Sequence, residues 1–101
     1  MYLLKSLDSI ICLIKENQNF LSLFTEVYIF GSVLNNSKYR DIDILLIYEN
    51  VSPKLLSQKK KLEYLGKNKL GCSLDITMLS CSEEKEVRFL ERLDSRYIKI
   101  K

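Results

Sequence analysis

The chain has 101 residues, 47% of them hydrophobic and 29% charged, with a net charge of +3; this predicts one globular, soluble domain over residues 1–101, with a core adequate for folding and little surplus. The charge excess is mild and spread along the chain, so no dense basic patch announces nucleic acid. Histidine is absent, which excludes histidine-based acid–base, nucleophilic and metal chemistry and leaves carboxylates to carry any reaction.

Lys5 alone precedes a leucine-rich stretch that polar residues interrupt. That is neither a signal peptide nor a membrane span, so the reading is a cytoplasmic protein without a membrane partner. Cys12, Cys72 and Cys81 form an odd, scattered set and read as buried small hydrophobes in a reducing compartment, not as a disulfide framework or zinc site. Over residues 2–18, Leu3, Leu7, Ile10 and Ile14 recur at helical spacing and predict an amphipathic helix closed by Asn17-Gln18-Asn19. Phe20, Leu21, Leu23 and Phe24 continue it as a further helical turn.

Residues 26–30 predict a first strand that stops at Gly31-Ser32. Residues 32–36 are expected to make a short helix aimed at the site and Asn35, Asn36 and Ser37 a turn. Residues 41–48 are apolar on both faces after Asp43, which predicts a central strand. Ser52-Pro53 signals a helix start, and that helix runs to about Leu70, before Gly71, with Lys59, Lys60, Lys61, Lys67 and Lys69 on a solvated face. Residues 73–79 alternate as a strand with Ser73, Asp75 and Thr77 on one side. Ser80 and Glu83 have capping-box spacing for a helix over 81–93 with Val87, Leu90 and Leu93 inward. Arg96–Lys101 predict a short edge strand guarded by lysines.

The chemistry sits between the first two strands. Side chains alternate along a strand, so Asp41 and Asp43 point to the same side of the sheet. Neighbouring carboxylates oppose each other's ionisation, and a divalent cation is the simplest remedy. Magnesium is usually held by one or two carboxylates together with water and substrate phosphates. Gly31 lets the backbone approach a ligand, and the Ser32 hydroxyl with the following N–H groups can donate to phosphate oxygens. A carboxylate in mid-strand at Asp75 finds a reason if it faces Asp41 and Asp43.

The order Phe-Gly-Ser, short polar loop, Asp-x-Asp at a strand start and a third aspartate on a later strand resembles the DNA polymerase β-like nucleotidyltransferase superfamily, above all its minimal members. The resemblance runs from about residue 26 to 101. It implies an α+β fold, a small mixed β-sheet flanked by helices. It also implies that Gly31 and Ser32 bind the phosphates of a nucleoside triphosphate, that Asp41 and Asp43 ligate Mg2+, and that Asp75 completes the metal site and helps deprotonate the attacking hydroxyl. The connection Val33 to Arg40 is shorter than is common in the family, and Leu34-Asn35-Asn36 stands where many members carry a small-residue-Arg-Gly stretch; Lys38 or Arg40 would compensate in gripping the triphosphate. The family moves a nucleotidyl group to a hydroxyl and releases pyrophosphate.

The resemblance further implies an acceptor supplied by a partner protein or a second copy of the chain. Several minimal members are antitoxins that adenylylate a toxin on a tyrosine or other hydroxyl. The expected function is therefore magnesium-dependent transfer of AMP from ATP to a partner protein. Two alternatives stand beside it: a degenerate module that neutralises its partner by contact, and an enzyme extending RNA 3′ ends along the helix lysines.

Overall fold

Alternation along the strands sorts the apolar residues into two layers. The computed structural model describes residues 7–31, 34, 41–71 and 73–101. Its elements are α1 (Leu7–Glu16), a tight turn Gln18–Leu21, β1 (Phe24–Phe30), β2 (Asp41–Tyr48), α2 (Lys54–Leu65) continued by a wider helical turn Gly66–Leu70, β3 (Ser73–Ser80), α3 (Cys81–Val87), α4 (Phe89–Arg92) and β4 (Tyr97–Lys99). The sheet has four strands in the order β3-β2-β1-β4. β1 is antiparallel to both β2 and β4, while β2 and β3 run parallel. A parallel pair needs a long crossover, and α2 supplies it. The architecture is the expected mixed sheet flanked by helices.

Val27 and Ile29 of β1 and Ile42, Ile44 and Leu46 of β2 pack with Ile10, Ile14, Leu55 and Leu62 of the first two helices. Tyr28, Leu45 and Ile47 point the other way and meet Phe30, Phe89, Leu90 and Tyr97. β2 is therefore covered on both sides, with Ile42, Ile44, Leu45 and Leu46 all at 0% exposure, as its unbroken apolar run predicts.

Helix boundaries follow local chemistry. The Ser52 hydroxyl accepts from the Lys54 N–H at 3.2 Å, and Pro53 has a helical φ of −58°. At the far end Gly71, with φ 66°, closes the last turn by donating to the Gly66 carbonyl, the left-handed stop that suits glycine. β4 is an edge strand, and Lys99 Nζ lies 3.3 Å from Glu26 on β1.

Several expectations change. Phe24 belongs to β1 and not to a helical turn. The helix expected over 81–93 breaks at Arg88, whose φ is 54°, and Val87, expected inward, is 38% exposed. Cys12 is exposed and Cys81 half-buried, so neither is a buried core residue; Cys72 lies outside the described residues. The start of the first helix, most of the short helix over 32–36 and the turn at Asn35–Ser37 also lie outside them. Leu34 donates its N–H to the Gly31 carbonyl at 3.2 Å. Among the described residues, no helix is long and apolar enough to cross a membrane.

Candidate active site

The register of the two central strands brings the site together. Antiparallel pairing sets Phe30, the last residue of β1, opposite Asp43, and parallel pairing sets Asp75 opposite Asp43 on the other side. Asp41 pairs with Ser73. Since Ile42 and Ile44 face α1 and α2, alternation turns Asp41 and Asp43 to the opposite side, toward α3 and α4. Asp75 lies on that side too, because its neighbours Leu74 and Ile76 pack with the first two helices.

Immediately after Phe30 the chain turns at Gly31 with φ 86°, a conformation that L side chains rarely adopt. A second constraint acts there: a Cβ on Gly31 would run into the Asp43 carboxyl group, its Cγ only 2.9 Å away. Glycine thus lets the backbone lie directly against a carboxylate.

Asp43 is half-buried, whereas Asp41 and Asp75 are exposed. Burial pushes the Asp43 carboxyl above the usual range; the Asp75 charge and a hydrogen bond with Asp75 add to this, and the Asp41 charge contributes last. All of these oppose a negative charge on Asp43, so the group favours a proton or a cation beside it. Among the described residues, no three or more acidic or cysteine side chains converge as a metal cage. An adjacent carboxylate pair suits magnesium, which keeps water and substrate phosphates among its ligands and rarely uses an all-protein cage. The donor set, oxygen alone, fits that hard cation.

Of the residues singled out in the sequence, Asp43 and Asp75 come together, Gly31 lies against Asp43, and Asp41 stands two positions before it on the same side. Ser32, Lys38 and Arg40 lie outside the described residues. Sequence reasoning missed two arginines. A cleft of about 150 Å³ beside Gly31 is lined by Phe30, Gly31, Arg92, Leu93 and Arg96. The arginines are four positions apart, which is the only local signal they give. A larger groove of about 750 Å³ runs past Asn17, Leu56, Lys60 and Tyr64 along α2. It contains no carboxylate and lies across the sheet from Asp43, so the smaller cleft is the one at the site.

A family model described as "Nucleotidyltransferase domain" matches residues 11–101. A search of curated proteins gives no match. Among solved structures, the fold is similar to a chain in the crystal structure of the toxin-antitoxin MntA-HpeT, a variant with two aspartates, two positions apart, replaced by glutamate: 16% identity, 93% of this chain and 71% of that chain covered, TM-score 0.55. A Sulfolobus solfataricus protein assigned as a nucleotidyltransferase matches with 23% identity over 88% of this chain and 77% of its own, at a TM-score of 0.47.

Proposed function

This chain belongs to the nucleotidyltransferase domain family, and on that premise we propose that it is a magnesium-dependent nucleotidyltransferase that moves AMP from ATP to a hydroxyl of a partner protein, as the antitoxin of a toxin–antitoxin pair. The observation that carries the reading is the carboxylate pair Asp43–Asp75 in register on parallel strands, with the glycine turn pressed against it.

In this reading Gly31 and Ser32 cradle the phosphates, with Lys38 or Arg40 as further contacts. Asp41, Asp43 and Asp75 would hold magnesium, which when bound offsets the negative charge of the carboxylates and phosphates together. The acceptor oxygen attacks the α-phosphorus, the bond from that phosphorus to the bridging oxygen breaks, and pyrophosphate leaves with the electron pair. Asp75, which is exposed on the outer strand β3, would take the hydroxyl proton. Asp43 is more enclosed, and its carboxylate would depend on the cation to stay ionised. The antitoxin role draws support from the fold likeness to a toxin-antitoxin structure. The substituted aspartates of that protein have the spacing of Asp41 and Asp43.

The test is calorimetric titration of ATP with magnesium into wild-type protein and Asp43→Asn. Binding that requires both magnesium and Asp43 is expected. Equal binding by the two proteins, or no binding of any of the four ribonucleoside triphosphates, overturns the reading.

A further inference from the structure

The segment after β3 folds back across the carboxylate side of the sheet and ends at the cleft beside Gly31. Its backbone is unusual. Arg88, Asp94 and Ser95 have φ of 54°, 51° and 63°, and none is glycine, the residue that adopts this region without steric cost. Non-glycine residues held there persist only when their surroundings over-determine them, and they cluster at functional sites.

What these turns position is a pair of cations. Phe89 docks edge-on against Phe30 with ring centroids 5.3 Å apart, which anchors α4 beside the end of β1. The Arg92 N–H donates to the Arg88 carbonyl at 3.0 Å, and the Arg96 N–H to the Leu93 carbonyl at 2.9 Å. The Arg96 Nε also donates to the Leu93 carbonyl, at 3.3 Å, which ties one guanidinium nitrogen to the backbone, and both arginines line the cleft. Arg88 lies 3.8 Å from Glu91; among the described residues, Arg92 and Arg96 have no such carboxylate. Two like charges on one small cleft repel unless an anion lies between them.

Size and position narrow the anion. At about 150 Å³ the cleft falls well below the roughly 300 Å³ at which pockets begin to enclose a drug-sized ligand, so a phosphate or two fits and a nucleoside does not. Arginine forks match phosphate oxygens in pairs. Gly31 lies in both the cleft wall and the contact with Asp43, so an anion in the cleft is next to the carboxylates without being on them. We propose that Arg92 and Arg96 clamp the terminal phosphates of the nucleoside triphosphate and stabilise the departing pyrophosphate. This rests on the nucleotidyltransferase reading above and adds the residues that hold the leaving group.

The test titrates inorganic pyrophosphate, AMP and magnesium ATP separately into the wild-type chain and its variants. Thermal unfolding first checks each fold, and both arginines are exposed, so Arg92→Gln/Arg96→Gln should melt close to the wild type. If that double variant fails to fold, Arg92→Gln alone carries the comparison. Pyrophosphate and ATP affinity should fall by about tenfold to a hundredfold, the worth of a single charge-assisted hydrogen bond, with AMP affinity unchanged. Arg92→Lys/Arg96→Lys should recover part of the loss, and Lys85→Gln, which removes a charge away from the cleft, should change nothing.

Wild-type protein that binds no pyrophosphate, or a glutamine variant that binds it as tightly as wild type, overturns the clamp. Asp43→Asn separates the two ideas. If it keeps full magnesium ATP binding while the arginine variant loses pyrophosphate, the proposed function fails and the anion clamp stands; if it loses ATP while the arginine variant does not, the clamp alone fails.

Discussion

Gly31 and Asp43 constrain each other, and each makes a prediction about the other. Replacing Gly31 with alanine adds a Cβ at φ 86° that meets the Asp43 carboxyl group. We expect Gly31→Ala to destabilise the fold by about 1–3 kcal/mol in denaturant unfolding and to displace Asp43, weakening magnesium ATP binding. Asp43→Asn should act in opposite directions on stability and function. The folded-state value of Asp43 lies above the ordinary 3.8, so its contribution to stability is complete below that value and is lost as pH rises through the raised one. At neutral pH the ligand-free asparagine variant should therefore melt higher than wild type. Magnesium should raise the melting temperature of wild type only, because a ligand stabilises the state that binds it. Gly31, Asp41, Asp43 and Asp75 were legible because each breaks an apolar strand pattern where a polar or flexible residue needs a reason. Arg92 and Arg96 were not, because surface arginines are common and only the return of the chain after β3 brings them to Gly31.

Among the elements, α3 is the one whose sequence signal is strongest and whose end is hardest to read. The Ser80 hydroxyl accepts from the Glu83 N–H at 3.0 Å, and the Ser80 N–H donates to the Glu83 carboxylate at 2.9 Å. Ser80→Ala should cost about 1 kcal/mol in equilibrium unfolding. Donation from the Ser80 N–H, with the Ser80 side chain adding to it, holds the Glu83 carboxyl below its ordinary 4.5. Its share of the cap is therefore present above that value and lost as pH falls through the lowered one, and Glu83→Gln should flatten this part of the stability profile. The stop at Arg88 was invisible because glycine or asparagine usually marks a left-handed position, and here an arginine holds it, followed by Phe89 packed on Phe30. On α2, Leu62 is at 1% exposure and Leu56 at 60%. Leu62→Ala should cost about 2–5 kcal/mol by chemical denaturation, and Leu56→Ala less than about 0.5.

At the scale of the molecule, the sheet's two rims differ. β4 is three residues long and carries Lys99, features that discourage pairing with other chains, whereas β3 is eight residues long without lysine or proline, the kind of rim that invites it. The sequence announced the guarded rim through its lysines. It could not show that β3 would be the opposite rim, since strand order depends on pairings between distant segments. The strand pairing also has a consequence for synthesis. All three aspartates and Gly31 precede Ser80, yet β1 gains its second neighbour only when residues 97–99 exist. A polypeptide released early from the ribosome, after β3, would carry every acidic residue of the site while leaving the β1 rim as well as the β3 rim open to other nascent chains. Its expected fate is to aggregate or be degraded, so the cell would gain nothing from a partial copy.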